Sequence, residues 1–189
     1  FMKKMMCRFI EMDYDRGLLM LKDLLERGEV LSKLTFSPRV AVASTPYVGI
    51  TRECPIAELG DHMEGDFKKL RDWSLDKGLS PCRPPFSIYE KWDLKKGLAR
   101  YTAAYPLDEI PDELPDGAAR GELPACESFV VTHQGSYHHL GNAWTAGMMR
   151  AKAKAFRQSR RIMPFETYPN NPDNTAEEDL LALVHFPLK

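Results

Sequence analysis

The sequence lacks most of the features that announce a membrane, redox or metal protein. No apolar run approaches the roughly 18 residues that a membrane-spanning helix needs, so no membrane partner is expected. The first ten residues carry lysines and methionines but no apolar stretch with a small-residue cleavage site, so no signal peptide is expected either. An excess of one charge is also missing. Lys and Arg together number 26 against 27 Asp and Glu, a net charge of −1, which gives no overall pull toward nucleic acid. The four cysteines (Cys7, Cys54, Cys82, Cys126) are scattered and form no CxxC pair. That spacing argues against a disulfide framework or a zinc site, and reads as reduced thiols in a cytoplasmic protein. No Gly-rich phosphate loop, GxSxG elbow or HExxH helix is present, and neither a cofactor nor a metal is expected. His138 and His139 are adjacent, so on a helix they point about 100° apart and cannot readily chelate one ion. They read as a surface pair at a helix start.

With 43% hydrophobic residues over 189 positions, the chain can bury one sizeable core. Residues 9–28 predict a helix: Ile10, Tyr14, Leu18, Leu21 and Leu25 recur near a 3.6 period, and Gly28 can end it. Its stripe is expected to pack on the main body or to lead in from something upstream. One such helix falls short of a helix-turn-helix, which needs two in close succession, so no direct nucleic-acid binding is expected. Alternation at 40–43 and the run 45–50 predict a strand. Ile56, Leu59, Met63, Phe67 and Leu70 then share one helical face, with Gly78 at the end. A hairpin follows, 86–92 and 98–105, turning at 93–97. Residues 106–124, rich in Pro, Asp, Glu and Gly, read as a long polar connection. Beyond it the order recurs: a strand at 126–133, a helix over about 138–157, a strand through 165–168, and a last strand at 180–186. Two strand-helix-strand-strand modules imply an α+β fold, with antiparallel sheet, helices on one side and a pocket at the junction.

Glu166 is the unusual residue, a carboxylate inside a short apolar strand. Alternation puts it on one face with Tyr168. Burial there is expensive unless the charge is paired or neutralised, and the segment alone favours a solvent-facing position. In the helix of the second half, Tyr137, Leu140, Trp144 and Met148 form an apolar stripe. Small neighbours (Gly141, Ala143, Ala146, Gly147) leave room beside the indole for close packing or for a ligand.

The stretches Gly135-Ser136-Tyr137, Leu140-Gly141-Asn142-Ala143-Trp144 and Phe165-Glu166-Thr167-Tyr168-Pro169, followed by a strand ending Phe186-Pro187-Leu188, resemble the GyrI-like family. Thr45-Pro46-Tyr47-Val48-Gly49 is similar to that family's opening strand. The resemblance covers residues 36–189 and leaves 1–35 as an N-terminal helix and linker. It implies two modules related by a pseudo-twofold, with an aromatic cleft between them. Glu166 would lie at the cleft floor, and Tyr168, Trp144, Tyr137 and Tyr47 would be ligand-binding candidates. The implied ligand is a hydrophobic, planar or cationic small molecule, since aromatic faces and a desolvated carboxylate both attract cations. Helical DNA-binding domains precede this unit in the family's regulators, and the N-terminal helix here resembles the tail of a START-like domain. Stand-alone relatives include hydrolases of cyclopropane-bearing, DNA-alkylating natural products. In that version Glu166 would be the general base and Tyr137 would hold the developing oxyanion. The resemblance is compatible with binding and, as the alternative, with hydrolysis.

Overall fold

The computed structural model describes residues 2–189; Phe1, with which the chain opens, lies outside them. Helix α1 (Met2–Arg27) comes first, then β1 (Ser32–Val42), β2 (Thr45–Pro55), α2 (Leu59–Asp76), β3 (Phe86–Asp93) and β4 (Leu98–Pro106). After them run β5 (Ala118–Leu123), β6 (Cys126–Gly135), α3 (Gly141–Lys152), β7 (Phe165–Thr167) and β8 (Leu181–Pro187). The strands form one eight-stranded sheet in the order β1-β6-β8-β7-β3-β4-β2-β5, antiparallel at every step.

The predicted pseudo-twofold is visible in that order: β6-β8-β7 on one side mirrors β3-β4-β2 on the other. The axis passes between β7 and β3, where Ser87 and Glu166 are register partners. Phe86 faces Ala104 and Phe165 faces His185 in equivalent places, and Tyr89 N–H donates to Pro164 O as Tyr168 N–H donates to Pro85 O. The two central strands therefore align as Pro85-Phe86-Ser87-Ile88-Tyr89 and Pro164-Phe165-Glu166-Thr167-Tyr168. Both α2 and α3 cover the same face. Leu70 of α2 packs with Val48, Ile50 and Tyr101, while Ala143 of α3 packs with Phe129, Val131, Val184 and Phe186.

Several expectations are corrected. The connection at 106–124 contains β5, which zips onto β2 from Thr45–Leu123 to Ile50–Ala118. Its Ala-Ala-Arg-Gly-Glu core has little of the β-branched or aromatic character that marks a strand. The predicted helix over 138–157 is shorter: Tyr137–His139 form a 3-10 turn, and α3 stops before Lys154, whose φ of 62° is a left-handed terminus. The stripe on α1 faces solvent, with Leu25 77% exposed. The helix instead docks by its polar side. Arg16 donates to Thr145 Oγ1, Asp23 lies 2.7 Å from His139 Nε2, and Arg27 reaches Glu177 at 2.8 Å. His139 is accordingly buried and only His138 is exposed. The 35/36 boundary falls inside β1, which pairs with β6 from Ser32 onward.

Candidate functional site

The two central strands bring the site together from both modules. Glu166 points to the helix-covered face and is 1% exposed. Tyr168 Oη donates to its Oε2 at 2.5 Å, and Tyr89 Oη donates to the same oxygen at 2.6 Å. Trp144 Nε1 donates to Oε1 from α3. Ser87 and Tyr168 hydroxyls are 3.1 Å apart, and Ser87 Oγ also lies 3.2 Å from Met63 Sδ on α2. Tyr168 packs edge-on against Phe67 of α2 at 5.5 Å, so both helices roof the carboxylate.

Burial dominates the electrostatics. Removal of water pushes the Glu166 carboxyl above the usual range, although the hydroxyls of Tyr168 and Tyr89 and the Trp144 indole N–H pull the other way. Both tyrosines are raised well above their ordinary value by burial and by the adjacent carboxylate. Among the described residues no Lys, Arg or His forms an ion pair with Glu166. The contrast with the other buried carboxylate on this face is informative. Asp66 of α2 is gripped by Arg52 through Nε at 2.9 Å and Nη2 at 2.5 Å, with Tyr101 Oη adding a bond of 2.7 Å. One buried acid is held by a guanidinium and the other by uncharged donors.

Of the residues singled out in the sequence, Glu166, Tyr168 and Trp144 meet directly. Tyr137 stands at the edge of the group, its ring 6.0 Å from that of Tyr168 and its hydroxyl donating to Leu181 O at 3.0 Å. Burial and the nearby Glu166 raise its pKa to about 12. Tyr47 is not part of the group. Its neighbour Val48 points to the helices, so Tyr47 points the other way and packs edge-on against Phe86 at 5.3 Å. Tyr89 was missed, although it is the pseudo-twofold mate of Tyr168. The signal was the repeated Pro-Phe-x-x-Tyr string.

The sequence profile of the GyrI-like small molecule binding domain matches residues 40–189. The chain belongs to the GyrI-like family. No curated protein matches it. Among solved structures, this GyrI-like chain is similar to EcmrR in its complex with DNA, at 14% identity and TM-score 0.67, over 97% of this chain and 68% of that one. It is also similar to SAV2435 bound to tetraphenylphosphonium, at 15% identity and TM-score 0.57, over 83% of this chain and 94% of the other. A hydrolase from Listeria innocua aligns at 9% identity and TM-score 0.53, over 83% and 92% of the two chains. At these identities the likeness establishes the shared fold of the GyrI-like domain, an antiparallel sheet with helices on one face. No helix among the described residues is long and apolar enough to cross a membrane.

Proposed function

We propose that the chain binds a lipophilic aromatic cation at Glu166, and acts as a sensing or sequestering module. One observation carries this reading: a fully buried carboxylate that holds three uncharged donors and, among the described residues, no cationic partner. A buried carboxylate is costly in isolation, and a ligand cation would supply the charge that Arg52 supplies to Asp66. Aromatic faces of Tyr89, Trp144, Tyr168 and Tyr137 would take the ligand's rings through stacking and cation–π contact. SAV2435, a protein of the same fold, holds such a cation, tetraphenylphosphonium. The test is calorimetric titration with tetraphenylphosphonium and with neutral triphenylphosphine oxide. Preference for the cation supports the reading, and equal affinity for both would defeat it.

The raised pKa of Glu166 gives a signed pH dependence. Below that pKa the carboxyl is neutral, so affinity for the cation is expected to fall with falling pH, and binding there releases a proton. Ligand-free folding runs the opposite way. A folded pKa above the unfolded one contributes stability that is present at low pH and lost as pH rises through the folded value. Tyr89→Phe removes one donor to the ionised form and is expected to shift the midpoint of the affinity profile upward. Dissociation constants measured across pH for the two proteins check both statements; a downward shift would mean that Tyr89 does not support the ionised carboxylate.

A second reading is supported by the same raised pKa, which suits a general base acting on water. In it Glu166 would activate water against a cyclopropane-bearing electrophile, with Tyr137 near the developing oxyanion. Consumption of such electrophiles no faster with protein than in buffer removes this reading and leaves binding.

A further inference from the structure

β3 contains a bulge whose consequence simple alternation conceals. Tyr89 faces Tyr101 on β4, but Lys91 faces Arg100, so Glu90 is an extra residue in the ladder. Such a bulge re-aims the side chains beyond it. Glu90 turns to the face away from the helices, where its carboxylate accepts from Arg100 Nε at 2.8 Å and Thr102 Oγ1 at 2.7 Å. Trp92 then pairs with Ala99, two positions along β4 from Tyr101, and so lies on the same face as Tyr89 and Glu166. Without the bulge, residues 89 and 92 would point to opposite faces.

The result is a connected row of rings. Phe186 lies 5.5 Å from Trp144, Trp144 lies 5.0 Å from Tyr89, and Tyr89 lies 6.3 Å from Trp92. The middle two members donate to the buried carboxylate, while Trp92 is 43% exposed. An indole open to water at the end of such a row has an unfilled aromatic face, and Trp is the strongest of the three aromatic side chains for cations and flat rings.

We propose that Trp92 is a ligand-binding residue: it forms the outer wall of the site and selects multi-ring cations, whose outer ring it covers while the charge is held at Glu166. This rests on the cation-binding reading above. A ligand with one ring is satisfied by Tyr89 and Trp144, and only one that extends outward from them reaches Trp92.

The experiment compares the full chain with Trp92→Ala and Trp92→Phe, using tetraphenylphosphonium and phenyltrimethylammonium as multi-ring and single-ring probes. Trp92→Ala is expected to weaken tetraphenylphosphonium by about 5- to 30-fold, the range of an aromatic wall. It should leave phenyltrimethylammonium within about twofold, and Trp92→Phe should recover most of the loss. Equal weakening of both probes, or of neither, overturns the proposal. So does loss of the folded state in Trp92→Phe, which would make the indole a structural cover. Failure of the parent protein to bind either cation overturns the Glu166 reading first, and the Trp92 proposal with it.

Discussion

A Glu166→Gln variant will bind tetraphenylphosphonium about 10- to 100-fold more weakly than the parent, the loss corresponding to a hydrogen-bonded charge. The substitution keeps shape and removes charge. An amide can still accept the Trp144 N–H on its oxygen, but its NH2 cannot accept from Tyr89 and Tyr168, which both bond one carboxylate oxygen. Affinity for neutral triphenylphosphine oxide is expected to stay within about threefold, because stacking area is unchanged. Melting temperature is the control: removing an unneutralised buried charge offsets the broken tyrosine bonds. If both ligands weaken equally, the carboxylate shapes the site and does not read charge.

Gly147→Ala is expected to lower stability by about 1–3 kcal/mol, the usual cost of overpacking a core. A Cβ at this position would sit 2.1 Å from Cε2 and 2.4 Å from Cζ of Phe186. Phe186 cannot retreat: it is 1% exposed and wedged between Trp144 at 5.5 Å and Phe156 at 5.8 Å. The helix must therefore lift from the sheet, and Trp144, one turn earlier on α3, lifts with it. At roughly 2–4 °C per kcal/mol for a chain of this size, the drop is readable by calorimetry. It should be accompanied by weaker cation binding. An unchanged melting temperature would show that α3 does not rest on that ring.

The sequence made the second half of the site legible and the first half opaque. Alternation puts Glu166 and Tyr168 on one face, and the family resemblance turns that face toward a cleft although the segment alone favours solvent. Trp144 stands in a helix with small neighbours that leave room beside it. Tyr89 lay in a hairpin that reads as ordinary amphipathic strand, and its place beside Glu166 depends on β3 pairing with β7, a contact 77 residues apart in sequence. Tyr47 shows the converse. Its strand was recognised, but which of two alternating faces turns inward is fixed by the helices that cover it. Trp92 was hidden because counting by twos fails across a bulge. On α1 the periodicity was real but its orientation was not readable, since Arg16, Asp23 and Arg27 hold the other side to the body.

The pseudo-twofold axis between β3 and β7 has a consequence for direction. A symmetric scaffold gives a guest two equivalent ways to lie, related by half a turn. Here the two residues facing each other across the axis are Ser87 and Glu166, a hydroxyl and a carboxylate. Their mates on either side, Phe86 with Phe165 and Tyr89 with Tyr168, are identical. On the two central strands the aromatic positions repeat while the centre does not, and that difference gives the pair a head and a tail. Under the cation binding proposed above, a singly charged guest would enter one way round, since the half-turned pose would leave its charge against a serine.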